Sequence, residues 1–433
     1  MSDSTDIPEG YAATELGALP EEWDVVNVGD TIQKTITLNP NKNPNYEFDY
    51  IDVSSVSSDT LTIVNTTHCI AHSCPSRARK IVEENDVIFA TVRPSLRRVS
   101  QVPKNMNNRI CSTAFCVLRS NPKKIDPSFL FYAVSYGDFV DRVSEHQRGV
   151  AYPAITDKEI LEESIPLPPL PEQHAIATTL RTVQGAKEKT DDVITATKAL
   201  KAAMMKHLFT YGPVPPEEAV NVALKETEIG QVPEEWEIRT VNELFDSKLG
   251  KMLSPVSKTG KFSKPYLRNA NVQWGRVDIS DLYEMDFSES SYDRYALIFG
   301  DVLICEGGEI GRTAIWRDEI KECYYQKAIH RLRPRDDRIS TEFFSYHMMY
   351  AFLIGKTYSE LGTTTTIAHL PGMKLKALLV PVPPRQVQDK IVTLLESIDQ
   401  KLAAEQSHKE ALDTLFASLL HDLMTAKIRV CTA

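Results

Sequence analysis

Apolar residues recur at alternating spacings of four and three through one long stretch that contains no proline. Ile176, Leu180, Val183, Lys187, Thr190, Ile194, Thr197, Lys201, Met204 and Leu208 make up that series, which predicts a helix with one seam turned to a single partner. Its start is marked by IPLPPLPEQ. Pro166, Pro168, Pro169 and Pro171 cannot donate to a helix ladder and bias the residues before them toward extended geometry, so the helix begins only after them. Glu172 then falls near the positive end of the helix. The same design returns after VPVPPRQVQ, with Ile391, Leu395, Ile398, Leu402, Glu405, Lys409, Leu412, Phe416, Leu419 and Leu423 as its seam. Each stripe is too narrow to be stable alone, and the two are expected to bury one another.

The repetition extends beyond the helices. TELGALPEEW at Thr14–Trp23 has a counterpart, TEIGQVPEEW, at Thr227–Trp236, and NDVIF before Ala90 matches GDVLI before Cys305, both reading as buried strands. Leu118-Arg119 followed by Ile125, Phe129, Tyr132 and Tyr136 matches Leu332-Arg333 followed by Ile339, Phe343, Tyr346 and Tyr350, so each half has a further helix after a charged turn. GVAYPAI (149–155) and GTTTTIAHLPG (362–372) precede the two proline-rich entries. Residues 31–80 and 240–295 align poorly. A repeated frame with two dissimilar inserts suits two versions of one task aimed at different targets; two copies that drifted on their surfaces are the alternative.

The chain of 433 residues is long enough for two or three domains, and its hydrophobic and charged fractions are those of an ordinary globular protein. No apolar run reaches membrane-spanning length and MSDSTDIPEG lacks the parts of a signal peptide, which points to the cytoplasm. Seven cysteines without a CxxC pair fit reduced thiols. Cys69, His72, Cys74, Cys111 and Cys116 are potential zinc ligands, but the pairs are looser than structural zinc sites use, and Cys111–Cys116 reads as a buried strand.

A net charge of −10 excludes indiscriminate coating of nucleic acid but not local basic faces. Between His68 and Lys124 eleven cations stand against three acids, and Lys248–Arg276 holds seven cations and no acid. Segregated basic segments are the electrostatic footprint of phosphate binding, although for any single lysine a solvated loop is the better account. Reading bases also needs forked donors and amides. The first half offers Arg77, Arg79, Arg93, Arg97 and Arg98. The second offers Lys251, Lys258, Lys261, Lys264, Arg268, Asn269, Asn271 and Gln273, next to Tyr266 and Trp274. EGGEIGR (306–312) and GTTTT (362–366) are weaker candidates for phosphate contact.

Catalytic patterns are missing. Gly355-Lys356-Thr357 lacks the P-loop's first glycine, since position 350 is tyrosine, and there is no GxGxxG after a strand, GxSxG elbow, HExxH helix or Asn-Pro-Pro-aromatic motif of an amino-methyltransferase.

The duplicated frame, the Pro-x-Pro-Pro entry to each long helix, the KHLF that closes the first helix and the terminal LMTAKIRV together resemble the specificity subunit of type I restriction-modification enzymes, over essentially the whole chain after Thr14. The resemblance implies an α+β fold: two tandem-duplicated target recognition domains separated by two long helices that form an antiparallel coiled coil. The domains are expected at 14–165 and 213–380, the helical regions at 166–212 and 381–433, and a disordered N-terminus at 1–13. Polar residues in mid-seam, Lys187 and Thr190, would then meet Glu405 and Lys409. One departure is Gln386-Val387-Gln388 in place of Pro-Glu-Gln, which leaves an equal cap on the second helix unsupported.

Such subunits read a split site in double-stranded DNA and dock two methyltransferase (modification) subunits, which carry S-adenosylmethionine; restriction subunits that use ATP and magnesium can join. The chain itself is then expected to bind no cofactor and no metal and to catalyse nothing. A helix of roughly 55 Å, at about 1.5 Å per residue, exceeds one DNA turn, which predicts an unread spacer. Two rival readings stand beside this one: a methyltransferase or nuclease with unrecognised catalytic residues, and a coiled-coil scaffold without a DNA role.

Overall fold

The computed structural model describes residues 7–104, 108–149, 153–254, 260–358 and 369–430. The chain folds as two units, one running from the N-terminus to Asp191 and taking in the chain from His408 onward, the other spanning Asp192–Ser407.

The first unit opens with a hairpin, Tyr11–Thr14 against Gly17–Pro20. It begins inside the stretch expected to be disordered, because Tyr11 is anchored by its hydroxyl on the Ala426 carbonyl at 2.7 Å. The hairpin explains the TELG signature: Thr14 Oγ1 donates to the Gly17 carbonyl and Gly17 takes a φ of 106°, open to glycine but not to side chains. Thr227 and Gly230 repeat the arrangement in the second unit.

Asp24–Asn27 then pairs antiparallel with Ser164–Leu167, the strand that leads into the first long helix. Two four-stranded sheets follow. One orders Ile32–Gln33, Phe115–Ser120, Val87–Ala90 and Val99–Gln101; the other orders Thr67–Ile70, Glu47–Ile51, Arg109–Ser112 and Ala78–Ile81, with a parallel pair at its centre. Val87–Ala90 is buried along its whole length. The helix Pro127–Ser135 is capped by Asp126, which accepts from Ser128 and Phe129, and it buries Phe129 and Tyr132 in the main core.

The second unit repeats this plan. Glu237–Thr240 pairs with Leu379–Val382; one sheet orders Phe245–Leu249, Ile329–Pro334, Val302–Cys305 and Thr313–Ile315; a three-stranded sheet orders Tyr283–Asp286, Ser263–Leu267 and Tyr324–Tyr325, again with a parallel pair. Thr341–Met349 is the counterpart helix, capped by Ser340. The poorly aligned inserts therefore share a scaffold. In each, a strand runs into a single 3-10 turn (Val53–Ser55, Asn269–Asn271) whose last side chain, Ser55 or Asn271, accepts from the backbone amide of the residue before the turn, Asp52 or Arg268.

The long helices span Leu170–Tyr211 and Arg385–Met424. Within the first unit they run antiparallel, since Lys187 pairs with Asp413 at 2.7 Å while Asp191, further along, pairs with Lys409, further back. Ile176, Leu180, Phe416 and Leu423 are buried there, with Val183 and Leu419 half-buried. Within the second unit Leu208, Ile391 and Leu395 are buried together, with Met204 packed at their edge, and Ile194 and Ile398 are also buried.

The seam departs from strict alternation. Leu420 is buried more deeply than Leu419 and Met205 more deeply than Met204, while Leu402 and Leu412 are only half-buried. The reason is that each helix end also covers the core of its own unit, so its apolar stripe is wider than a two-helix seam. The polar middle differs from the expected pairing as well: Lys187 and Lys409 reach off the seam to Asp413 and Asp191, and in the second unit Lys201 meets Asp399, which also accepts from Tyr346.

Gln173 and Gln388 settle the question of the second helix's cap. Gln173 accepts from the Asp126 amide and donates to the carbonyls of Lys124 and Pro168; Gln388 accepts from the Ser340 amide and donates to those of Arg338 and Pro383. Each fastens its long helix to the cap of the shorter one, so the cap is shared after all. What differs is the residue before it. Glu172 accepts from the Trp23 indole and from Arg429, whereas Val387 stands in that place in the second unit. No helix among the described residues is long and apolar enough to cross a membrane.

Candidate nucleic-acid interface

The basic segment of the second unit looks different once folded. Lys264 meets Glu322 at 2.8 Å, and that lysine together with the Tyr324 hydroxyl holds the Glu322 carboxyl below the usual range. Arg268 meets Asp281 at 2.6 Å and lies 3.7 Å from the centre of the Tyr283 ring. Lys251 donates to the Asp286 carbonyl and sits over Phe287. A segment without acids thus meets them from the turns before two neighbouring strands, leaving Lys248, Lys261 and Arg276 as exposed cations with no ion pair among the described residues. Lys258 and the GTTTT stretch lie outside the described residues.

The amides of this segment belong largely to its own frame. Asn271 is buried, with its oxygen accepting from the Arg268 amide and its nitrogen donating to the carbonyls of Asp278 and Asp281. Gln273 donates to the Ala270 carbonyl and accepts from Arg312. Asn269 Nδ2 is 3.4 Å from the Gly307 carbonyl. This changes the role of Asn271: both of its amide hydrogens are spent inside the loop and are not available to a base edge, while Gln273 uses one of its two. Trp274 is half-buried, its indole donating to Glu309 at 2.7 Å. A cavity of about 390 Å³ opens beside Arg268, between Tyr266, Tyr283 and Met285.

In the first unit Arg77 is exposed and Arg79 donates to Asn39. Arg98 turns inward and donates to the carbonyls of Val53 (2.7 Å) and Val56 (3.2 Å), so it too serves the frame. Arg312 does the equivalent work in the second unit, on the Asn269 carbonyl at 2.7 Å. Arg119 grips buried Asp86 through two bonds, as Arg333 grips buried Asp301. Arg93 and Arg97, by contrast, stand exposed at either end of the Pro94–Leu96 turn.

Among the described residues no group of histidine, cysteine and carboxylate side chains could hold a metal ion. Cys111 is buried in its strand, and burial pushes its thiol up to about 12.

A twice-built scaffold with distinct cationic loops is what a family model then matches. The model described as the type I restriction modification DNA specificity domain covers residues 20–195 and again 233–414.

The chain belongs to this DNA specificity family.

Among its relatives, the putative type I restriction enzyme MjaX specificity subunit of Methanocaldococcus jannaschii is 24% identical, with 98% of each chain covered. The MjaVIII specificity subunit of the same organism is 25% identical over 95% of this chain and 94% of its own. Among solved structures, a chain from work on assembly and conformational transition of the type I R-M system is similar with a TM-score of 0.62 at 24% identity, covering 95% of this chain and 99% of its own. The S subunit of a type I restriction-modification system from M. genitalium follows at 0.57 and 19%, covering 93% and 96%. These two likenesses concern the fold. Tyr283 and the Arg98–Arg312 equivalence escaped sequence reasoning: Tyr283 lies in an unremarkable strand, and the two arginines fall in loops of different length.

Proposed function

We infer that this chain is the DNA-reading subunit of a type I restriction-modification enzyme, with one recognition domain in each unit and each domain reading one half of a bipartite double-stranded site. The observation that carries this is the repeat: two specificity-family matches in one chain, built on one scaffold, with loops that present different chemistry. Exposed cations such as Arg77 and Lys261 contact phosphates, and a smaller set of arginines reads bases.

The chain supplies recognition and its partners supply chemistry. Two modification subunits dock on the long helices and bring S-adenosylmethionine, and restriction subunits that use ATP and magnesium can join them. The chain itself holds no cofactor and catalyses nothing, and it works in the cytoplasm, where its DNA is.

The test is to map methylated adenines genome-wide in cells carrying the chain and its modification subunit. A single bipartite motif that disappears when this gene is deleted is the expected result. A motif that survives the deletion, or one without an unread spacer, overturns the reading.

A further inference from the structure

One hairpin loop is built twice with opposite charge. In the first unit it joins Val87–Ala90 to Val99–Gln101, and in the second it joins Val302–Cys305 to Thr313–Ile315. Three anchors align the two loops. Val92 bridges Ala154 as Gly307 bridges His369; the strand pairs are in the same register, Phe89 with Val99 and Ile304 with Thr313; and Arg98 and Arg312 close the loops on the carbonyls of Val53 and Asn269. On these anchors Arg93 corresponds to Gly308 and Arg97 to Gly311, the second loop being one residue shorter.

All four residues are left-handed, with φ of 50° and 53° at the arginines and 77° at both glycines. The scaffold therefore demands a conformation at these two points that glycine takes freely and β-carbon sterics disfavour. The second unit answers with glycine and covers the loop with its own residues. A β-carbon on Gly311 would stand 2.4 Å from the Phe352 ring, one on Gly308 would stand 3.1 Å from the Asn269 amide, and Glu309 holds the Trp274 indole. Its other charges are Glu306 and the closing Arg312, which donates to the Asn269 carbonyl and lies 3.8 Å from Glu309, so the loop has no counterpart of the two exposed arginines.

The first unit keeps arginine at both strained points. Pro94 is buried and pins the turn, Leu96 is 46% exposed, and both arginines are exposed; Arg97 has Asp141 at 3.9 Å, an exposed pair that solvent and salt screen. Strain of this kind persists where a side chain is needed at that point.

We propose that Arg93 and Arg97 are the base-reading residues of the first recognition domain, forking onto guanine edges in the major groove, and that the second domain reads its half-site from elsewhere than the matching loop. The proposal rests on the DNA-reading role inferred above.

The full chain, co-purified with its modification subunit, is assayed by selection from random duplexes, alongside two double variants. Arg93→Gly with Arg97→Gly copies the second loop and relieves the left-handed strain; Arg93→Lys with Arg97→Lys keeps the charge but loses the fork. The glycine variant is expected to melt no lower than the parent and to lose about tenfold or more discrimination at guanines of one half-site, with the other half-site unchanged. The lysine variant is expected to lose the same discrimination while retaining binding to unrelated DNA.

Unaltered preference at both half-sites in the glycine variant overturns the proposal. So does an even loss across all sequences with a shallower salt dependence, which marks phosphate contact, or a lowered melting temperature with both half-sites lost, which marks a structural role. If the parent complex itself selects no sequence, the DNA-reading role falls and this assignment with it.

Discussion

Arg119 holds Asp86 in the first unit as Arg333 holds Asp301 in the second, and Gln173 and Gln388 fasten their helices through matching sets of three bonds, yet the matching hairpin loops have arginine at two left-handed positions in one unit and glycine in the other. The difference follows from cost. Removing one partner of a buried polar pair leaves an unsatisfied group that cannot reach water, whereas an exchange on an exposed loop is usually close to neutral for stability. Duplication followed by divergence therefore retains the latches and frees the surfaces. A specificity subunit can change what it reads without rebuilding what holds it.

The comparison can be broken most directly at the two glutamines. Gln173→Ala and Gln388→Ala should each destabilise their own unit by about 3 kcal/mol, because each leaves a backbone amide and two carbonyls without their partner. Hydrogen exchange resolved by peptide would read each unit separately, and a large loss in one with none in the other would show that the equivalence is only geometric.

Acid should separate the units. The second unit buries His330 and His347 where the first has Cys116 and Ala133, and burial lowers both imidazoles, His347 to about 3. A folded-state value depressed below the unfolded one makes these histidines neutral in the fold and protonated in the unfolded chain. Their contribution is thus fully present above about pH 6.5 and is lost as pH falls toward 3. By pH 5 His347 alone should cost the second unit about 2 kcal/mol. Exchange protection that declines equally in both units over that range would contradict this.

A smaller and one-sided effect is expected at Arg429. It ties Glu172 and Glu22 together in the first unit, and its own charge is strengthened by them, while Val387 stands in place of Glu172 in the second unit. Arg429→Ala should cost the first unit about 1 kcal/mol, discounted because the guanidinium is partly exposed, and should leave the second unit unmoved in the same exchange measurement.

Much of this was legible in the chain. Proline punctuation and the four-three spacing placed the long helices, and TELGALPEEW against TEIGQVPEEW exposed the duplication, because a hairpin built on Thr14 and Gly17 can be repeated only with the same residues. The hidden relation lay in residues 31–80 and 240–295. There a serine hydroxyl, Ser55, and an asparagine amide oxygen, Asn271, accept from the matching backbone amides of Asp52 and Arg268, so no comparison of residue types could match them. The seam was read nearly in place but rotated, since helix periodicity reports how many residues face inward and not that two different surfaces share the task.

By itself, then, the sequence determined the periodicity, the punctuation and the repeat, which are local properties of neighbouring residues. Only the tertiary structure decided which acids lie beside the cations of the second basic segment. Lys264 and Arg268 look alike in a segment without acids, yet Glu322 and Asp281 reach them from 58 and 13 residues away, and Arg93 and Arg97 stand exposed at the ends of a turn that their own backbone resists. Charge is neutralised by whatever lies within a few ångströms in space, and spacing along the chain does not reveal that neighbour.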